Sequence, residues 1–177
     1  YDAVIEAYLA GLEACDGPLD AVASVASFFV SRVDAEIDKR LDAIGTEAAL
    51  ALRGQAAVAN AQLAYGLFLE RFSGERWEAL AARGARVQRP LWASTSTKDP
   101  SYSPTLYVDT LIAPDTVNTM PEATLDAFEG GGTIARTADA DLDAARKVLD
   151  DIAAVGVDLD EVTTKLEDDG VAAFEKS

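Results

Sequence analysis

The chain has 177 residues, 15 basic and 31 acidic, for a formal net charge of −16, and its length suits one ordinary domain with a real core. With 49% hydrophobic and 26% charged residues it has a globular composition, which excludes wholesale disorder. The acidic excess repels nucleic-acid phosphates and anionic lipid headgroups, so neither nucleic acid nor a membrane is an expected partner. The lack of histidine removes neutral-pH imidazole acid–base chemistry, Ser/His and Cys/His nucleophile pairs and imidazole zinc sites. A lone Cys15 makes no internal disulfide and points to a reducing compartment, the cytoplasm. No apolar run approaches the ~20 residues of a membrane span.

The first residue is Tyr1, and Val4, Ile5, Tyr8, Leu9 and Leu12 recur from it at helical spacing, so the chain is expected to be part of a longer polypeptide. Gly17-Pro18 marks a turn. The uncharged run from Ala21 to Val30 predicts a strand covered on both faces, as in parallel sheets. Ser31 and Asp34 resemble a capping box, and Val33, Ile37, Leu41 and Ile44 carry a helix to Gly45. A long alanine-rich helix is predicted from Glu47 to Phe72, with Gly54 and Gly66 its weak points, then a short one through Trp77 and Leu80 to Gly84. A strand over Pro90 to Ser94, a helix over Pro104 to Ile112, a Pro114-Asp115 turn and a strand over Thr116 to Met120 lead to a helix opened by Pro121. Gly130-Gly131-Gly132 reads as a flexible connector; no Lys-Ser/Thr follows it, so it is not a phosphate-cradling loop. A helix from Asp139 to Val155 and another capped by Asp158 and Glu161 complete the chain. Strands alternating with helices predict an α/β fold, either an open doubly wound sheet or part of a (β/α)8 barrel, which needs about 250 residues when whole.

Two segments carry candidate chemistry. Arg32 opens a helix, where its charge opposes the helix dipole; a bound anion reverses that conflict, because amide groups and a guanidinium fork together seat a phosphate. The simpler alternative is an ion pair with Asp34, Glu36 or another surface carboxylate. The second segment is Leu91 to Pro100, an apolar strand emerging into Ser94, Thr95, Ser96, Thr97 and Lys98. In parallel α/β folds ligands bind beyond the carboxyl ends of strands, where Arg32 and Lys98 both fall; the alternative is a solvated loop.

Val25-Ala26-Ser27-Phe28-Phe29-Val30-Ser31-Arg32-Val33-Asp34, Arg89 to Pro100, Thr105-Leu106-Tyr107-Val108-Asp109 and Asp115 to Leu125 together resemble bacterial, actinobacterial-like transaldolases across nearly the whole chain. The resemblance implies the carboxyl-terminal portion of a single (β/α)8 barrel domain over residues 1–177, about strands six to eight with large helices, the amino-terminal half being missing. It implies transfer of a dihydroxyacetone unit between sugar phosphates through a lysine Schiff base, in the non-oxidative pentose phosphate pathway, with no cofactor and no metal. By the same resemblance Ser27 and Phe29 line the substrate cavity, Arg32 holds the phosphate, Ser94 contributes from the next strand, and Lys98 stands in for an arginine many relatives carry there.

The family's Schiff-base lysine lies in an apolar Lys-Ile/Leu-Pro-Ala-Thr-like stretch that this sequence lacks. Lys39, Lys147, Lys165 and Lys176 fall on polar helix faces or the tail, so the nucleophile is expected upstream. A fructose-6-phosphate aldolase-like lyase and a noncatalytic acidic helical interaction module are the alternatives.

Overall fold

The computed structural model describes residues 1–175, so Lys176 lies outside the described residues. Three parallel strands, β1 (Ser24–Phe29), β2 (Gln88–Ala93) and β3 (Val117–Asn118), form one sheet in the order β1-β2-β3. Parallel neighbours need crossovers. The first holds α2 (Ser31–Ile44), α3 (Glu47–Leu50), α4 (Ala56–Arg71) and α5 (Gly74–Ala82), and the second holds α6 (Leu106–Asp109). Helix α1 (Asp2–Glu13) precedes the sheet, while α7 (Glu122–Gly131), α8 (Leu142–Ala154) and α9 (Leu159–Glu175) follow it.

One sheet face carries the core. Val30 and Trp92 pack with Ala57, Ala61, Tyr65 and Phe68 of α4 and with Tyr107 and Leu111. The Trp92 indole N–H donates to the Leu111 carbonyl at 3.0 Å, and Phe28 meets the indole edge to face. A second cluster joins Ile37 and Leu41 of α2 to Ile152 of α8 and Val162 of α9, and a third joins α1 to Leu80 of α5. Gly66 lets α8 close on α4: a Cβ there would stand 2.8 Å from Leu142 Cδ1.

The opposite sheet face is bare, which corrects the expectation of a strand covered on both sides. Side chains alternate along a strand, and β1 buries Ala26 while Val25 is 43% and Phe29 47% exposed. The apolar run reflects two apolar faces, only one of which this chain covers. Register pairs Val25 with Arg89, Ser27 with Leu91 and Leu91 with Val117, so these residues share the bare face.

Several boundaries also move. The long helix over 47–72 breaks into α3 and α4 at Gly54, whose φ of +71° interrupts the helical ladder. The helix over 104–112 shrinks to one turn, and the last strand to two residues. Gly130 and Gly131 continue α7 instead of forming a loop, and Gly132 N still bonds the Phe128 carbonyl at 2.7 Å. The Ser31/Asp34 capping box does not form, because both side chains bond elsewhere. Asp158 does cap α9, accepting from Asp160 N at 2.9 Å and Glu161 N at 3.0 Å, while Glu161 reaches Arg40 instead.

Candidate functional site

The carboxyl ends of β1 and β2 are stitched together. Val30 N donates to the Ala93 carbonyl at 2.9 Å and Ser31 N to the Ser94 carbonyl at 3.0 Å, carrying the ladder past both strands. Beyond it Ser31 Oγ and Ser94 Oγ stand 2.7 Å apart. Ser94, expected as the last strand residue, lies one residue outside β2 with φ +57°, a left-handed conformation costly for a side-chain-bearing residue and concentrated at functional sites. Thr95 is fully buried and donates to Asn118 Oδ1 at 2.8 Å, which ties this turn to β3.

On the bare face, Ser27 and Phe29 point the same way, and the Arg32 guanidinium carbon sits 4.6 Å above the Phe29 ring. A guanidinium over an aromatic face is held by the ring quadrupole yet keeps its N–H donors free at the edge. The carboxylates expected as its partners are engaged elsewhere. Asp34 accepts from Ala57 N and the Tyr107 hydroxyl, and Glu36 accepts from Arg40 Nε at 3.0 Å. Among the described residues no carboxylate lies within ion-pair distance of Arg32.

Lys98 lines a groove of about 500 Å³ between α2 and the segment after β2, with Ser31 at the same groove and Asp38, Arg53 and Tyr102 along it. Its ammonium donates to Ser96 Oγ at 2.8 Å. The Arg32 side chain does not line this groove. Ser27, Phe29 and Arg32 are thus brought together on the bare face, Ser94 is joined to Ser31 beside Arg32, and Lys98 shares the groove with Ser31.

The groove wall contains residues that sequence reasoning missed. Asp34 is 2% exposed; its Oδ1 accepts Ala57 N at 2.7 Å and its Oδ2 the Tyr107 hydroxyl at 2.6 Å. Burial pushes its carboxyl up to about 6, against those two hydrogen bonds, which favour the charged form. Burial, then the Asp34 charge and its hydrogen bond, raises the Tyr107 hydroxyl. One turn along α2, Asp38 repeats the pattern, accepting Gly54 N at 2.9 Å and the Tyr102 hydroxyl at 2.7 Å. The signal was present: Asp34 and Asp38 fall on the same helix face as Ile37 and Leu41, where an acid needs a tertiary partner.

Lys39 is exposed and also lines the groove, whereas Lys147 pairs with Asp151 at 2.6 Å and Lys165 pairs with Asp169 one turn away.

The family described as Transaldolase/Fructose-6-phosphate aldolase matches residues 2–177. Transaldolases of Frankia alni and Thermobifida fusca are each 57% identical over 181 residues, covering 100% of this chain and 49% of the relative. That of Mycolicibacterium paratuberculosis is 58% identical over 179 residues, covering 98% of this chain and 48% of the relative. The chain spans about half the length of the curated relatives it matches. A match running from the second residue to the last, joined to relatives at this identity, means that the chain belongs to the transaldolase/fructose-6-phosphate aldolase family.

Proposed function

We propose that residues 1–177 form the later part of a (β/α)8 barrel, about strands six to eight of a single domain, and supply the phosphate-holding side of a transaldolase active site. The observation that carries this reading is Arg32, a guanidinium without a carboxylate partner among the described residues, in a chain of net charge −16 and at the carboxyl end of a parallel strand. A cation left unpaired amid such acidity suits an anionic ligand.

In this reading the whole enzyme moves a dihydroxyacetone unit from sedoheptulose 7-phosphate to glyceraldehyde 3-phosphate, giving erythrose 4-phosphate and fructose 6-phosphate. A lysine from an upstream strand attacks the ketose carbonyl. The protonated Schiff base then takes up the electron pair as the carbon–carbon bond breaks. Ser27 and Phe29 line the cavity, Arg32 grips the phosphate, Ser94 shapes the same rim, and Lys98 is the second cation, approaching from the groove. The cytoplasm is the proposed setting.

The test is made in the full-length protein. Arg32→Ala is expected to raise KM for phosphorylated donors about ten- to a hundredfold, the worth of a lost charge-assisted contact, with little change in melting temperature. An unchanged KM removes Arg32 from the site. The family description also names fructose-6-phosphate aldolase, so the second reading is cleavage without transfer; product analysis with and without an aldose acceptor separates the two. A noncatalytic interaction module is tested by thermal shift, since it gains no protection from sugar phosphates.

A further inference from the structure

Four carboxylates, those of Asp34, Asp38, Asp42 and Asp99, line the groove beside Lys98, yet among the described residues none pairs with its ammonium. Each is committed elsewhere. Asp34 holds Ala57 N and Tyr107, Asp38 holds Gly54 N and Tyr102, Asp42 lies 3.1 Å from Arg53 Nε, and Asp99 accepts from Arg53 Nη2 at 2.8 Å and from Ser101.

The same bonds fasten the segment that carries Lys98. Asp99, the next residue, is tied to Arg53, and Tyr102 is tied to Asp38. The Tyr102 ring lies directly on Gly54, where a Cβ would stand 2.8 Å from the ring carbon Cζ. Asp38 therefore joins three elements through one carboxylate: its own helix, the backbone before α4 and the segment after β2.

We propose that Tyr102, latched to Asp38 over the bare Gly54, is a positioning residue that holds Lys98 ready for a phosphate ester and keeps the Asp38 carboxylate from capturing that ammonium. The proposal rests on Lys98 being the second phosphate cation. Loss of the tyrosyl hydroxyl acts twice, loosening the segment and freeing a carboxylate oxygen in the groove that Lys98 lines.

In the full-length protein, Tyr102→Phe keeps the ring on Gly54 and removes only the hydrogen bond. Expected are a rise of about three- to tenfold in KM for fructose 6-phosphate and in the inhibition constant of inorganic phosphate, in line with one net hydrogen bond, with kcat within about twofold. Lys98→Met raises both constants, and adding Tyr102→Phe to it changes them no further, because the tyrosine acts through the lysine. Arg53→Gln frees the other anchor, shows the same Lys98-dependent pattern, and carries the test if Tyr102→Phe does not fold. Unchanged constants in these variants, a lowered melting temperature alone, or effects that add to Lys98→Met overturn the positioning role and leave Lys98 as a phosphate cation. If Lys98→Met itself moves neither constant, its phosphate role falls and the positioning role with it.

Discussion

Asp34 shows how one side chain serves an element distant in sequence. Helix α4 begins at Ala56 with Gln55 as its N-cap, which makes no side-chain capping bond. Asp34 supplies the missing acceptor from across the core by taking Ala57 N at 2.7 Å, and a carboxylate also suits the positive end of the helix. Its folded-state carboxyl, pushed up to about 6 from an ordinary 3.8, sets a direction for stability. Below the ordinary value both states are protonated and its contribution is fully present. Between there and about 6 the unfolded chain ionises first, so stability falls as pH rises, by about 3 kcal/mol over the window. Asp34→Asn, which can still accept from Ala57 N and donate to Tyr107, is expected to lack that fall. Urea unfolding of the two proteins in parallel should show their difference growing in the variant's favour from pH 4 to 6 and constant above. A difference flat across the window would place the ionisation of Asp34 elsewhere.

At the scale of elements, the order of strands and helices was legible because hydrophobic period and capping are local. The α2 helix, its end at Gly45, and the Asp158 cap of α9 all follow from neighbours in sequence. What was not legible depends on partners far along the chain. The break at Gly54 exists to seat Tyr102, 48 residues later, and the left-handed Ser94 answers to Ser31, 63 residues earlier. Of the candidate site, Arg32 was readable from its place at a helix start beyond a strand, and Ser27 and Phe29 through the family resemblance, whereas the Asp–Tyr latches were not. Gly66 gives this scale its prediction. Gly66→Ala gains about 1 kcal/mol of helix propensity but drives its Cβ to within 2.8 Å of Leu142 Cδ1, an overpacking cost of about 1–3 kcal/mol. A net loss of about 1 kcal/mol, or about 3 °C in Tm, is expected. In a Leu142→Ala background the same substitution should instead stabilise; a loss in both backgrounds would show that α8 is not what limits the site.

For the whole molecule, the decisive feature is that the helices cover one side of the sheet. Val25, Phe29 and Leu91 lie on the other side, and β1 and β3 are both edge strands. Expressed alone, the chain is expected to bind a hydrophobic dye and to self-associate at micromolar concentration, whereas the full-length protein does neither; a monodisperse, dye-silent monomer in sedimentation velocity would refute this. The sheet nevertheless contains its own guard against misalignment. A two-residue β3 offers few bonds to define its alignment, and a shift by two residues would keep every side chain on its proper face. Trp92 turns its carbonyl toward β3, where it accepts from Thr119 N at 3.0 Å, and Pro90, two residues earlier, turns the same way. Slid by two toward the start of β2, β3 would meet an imino acid with no hydrogen to give. Pro90 thus acts as a doorstop in the middle strand, tolerated where β3 has not yet begun and prohibitive one step out of place.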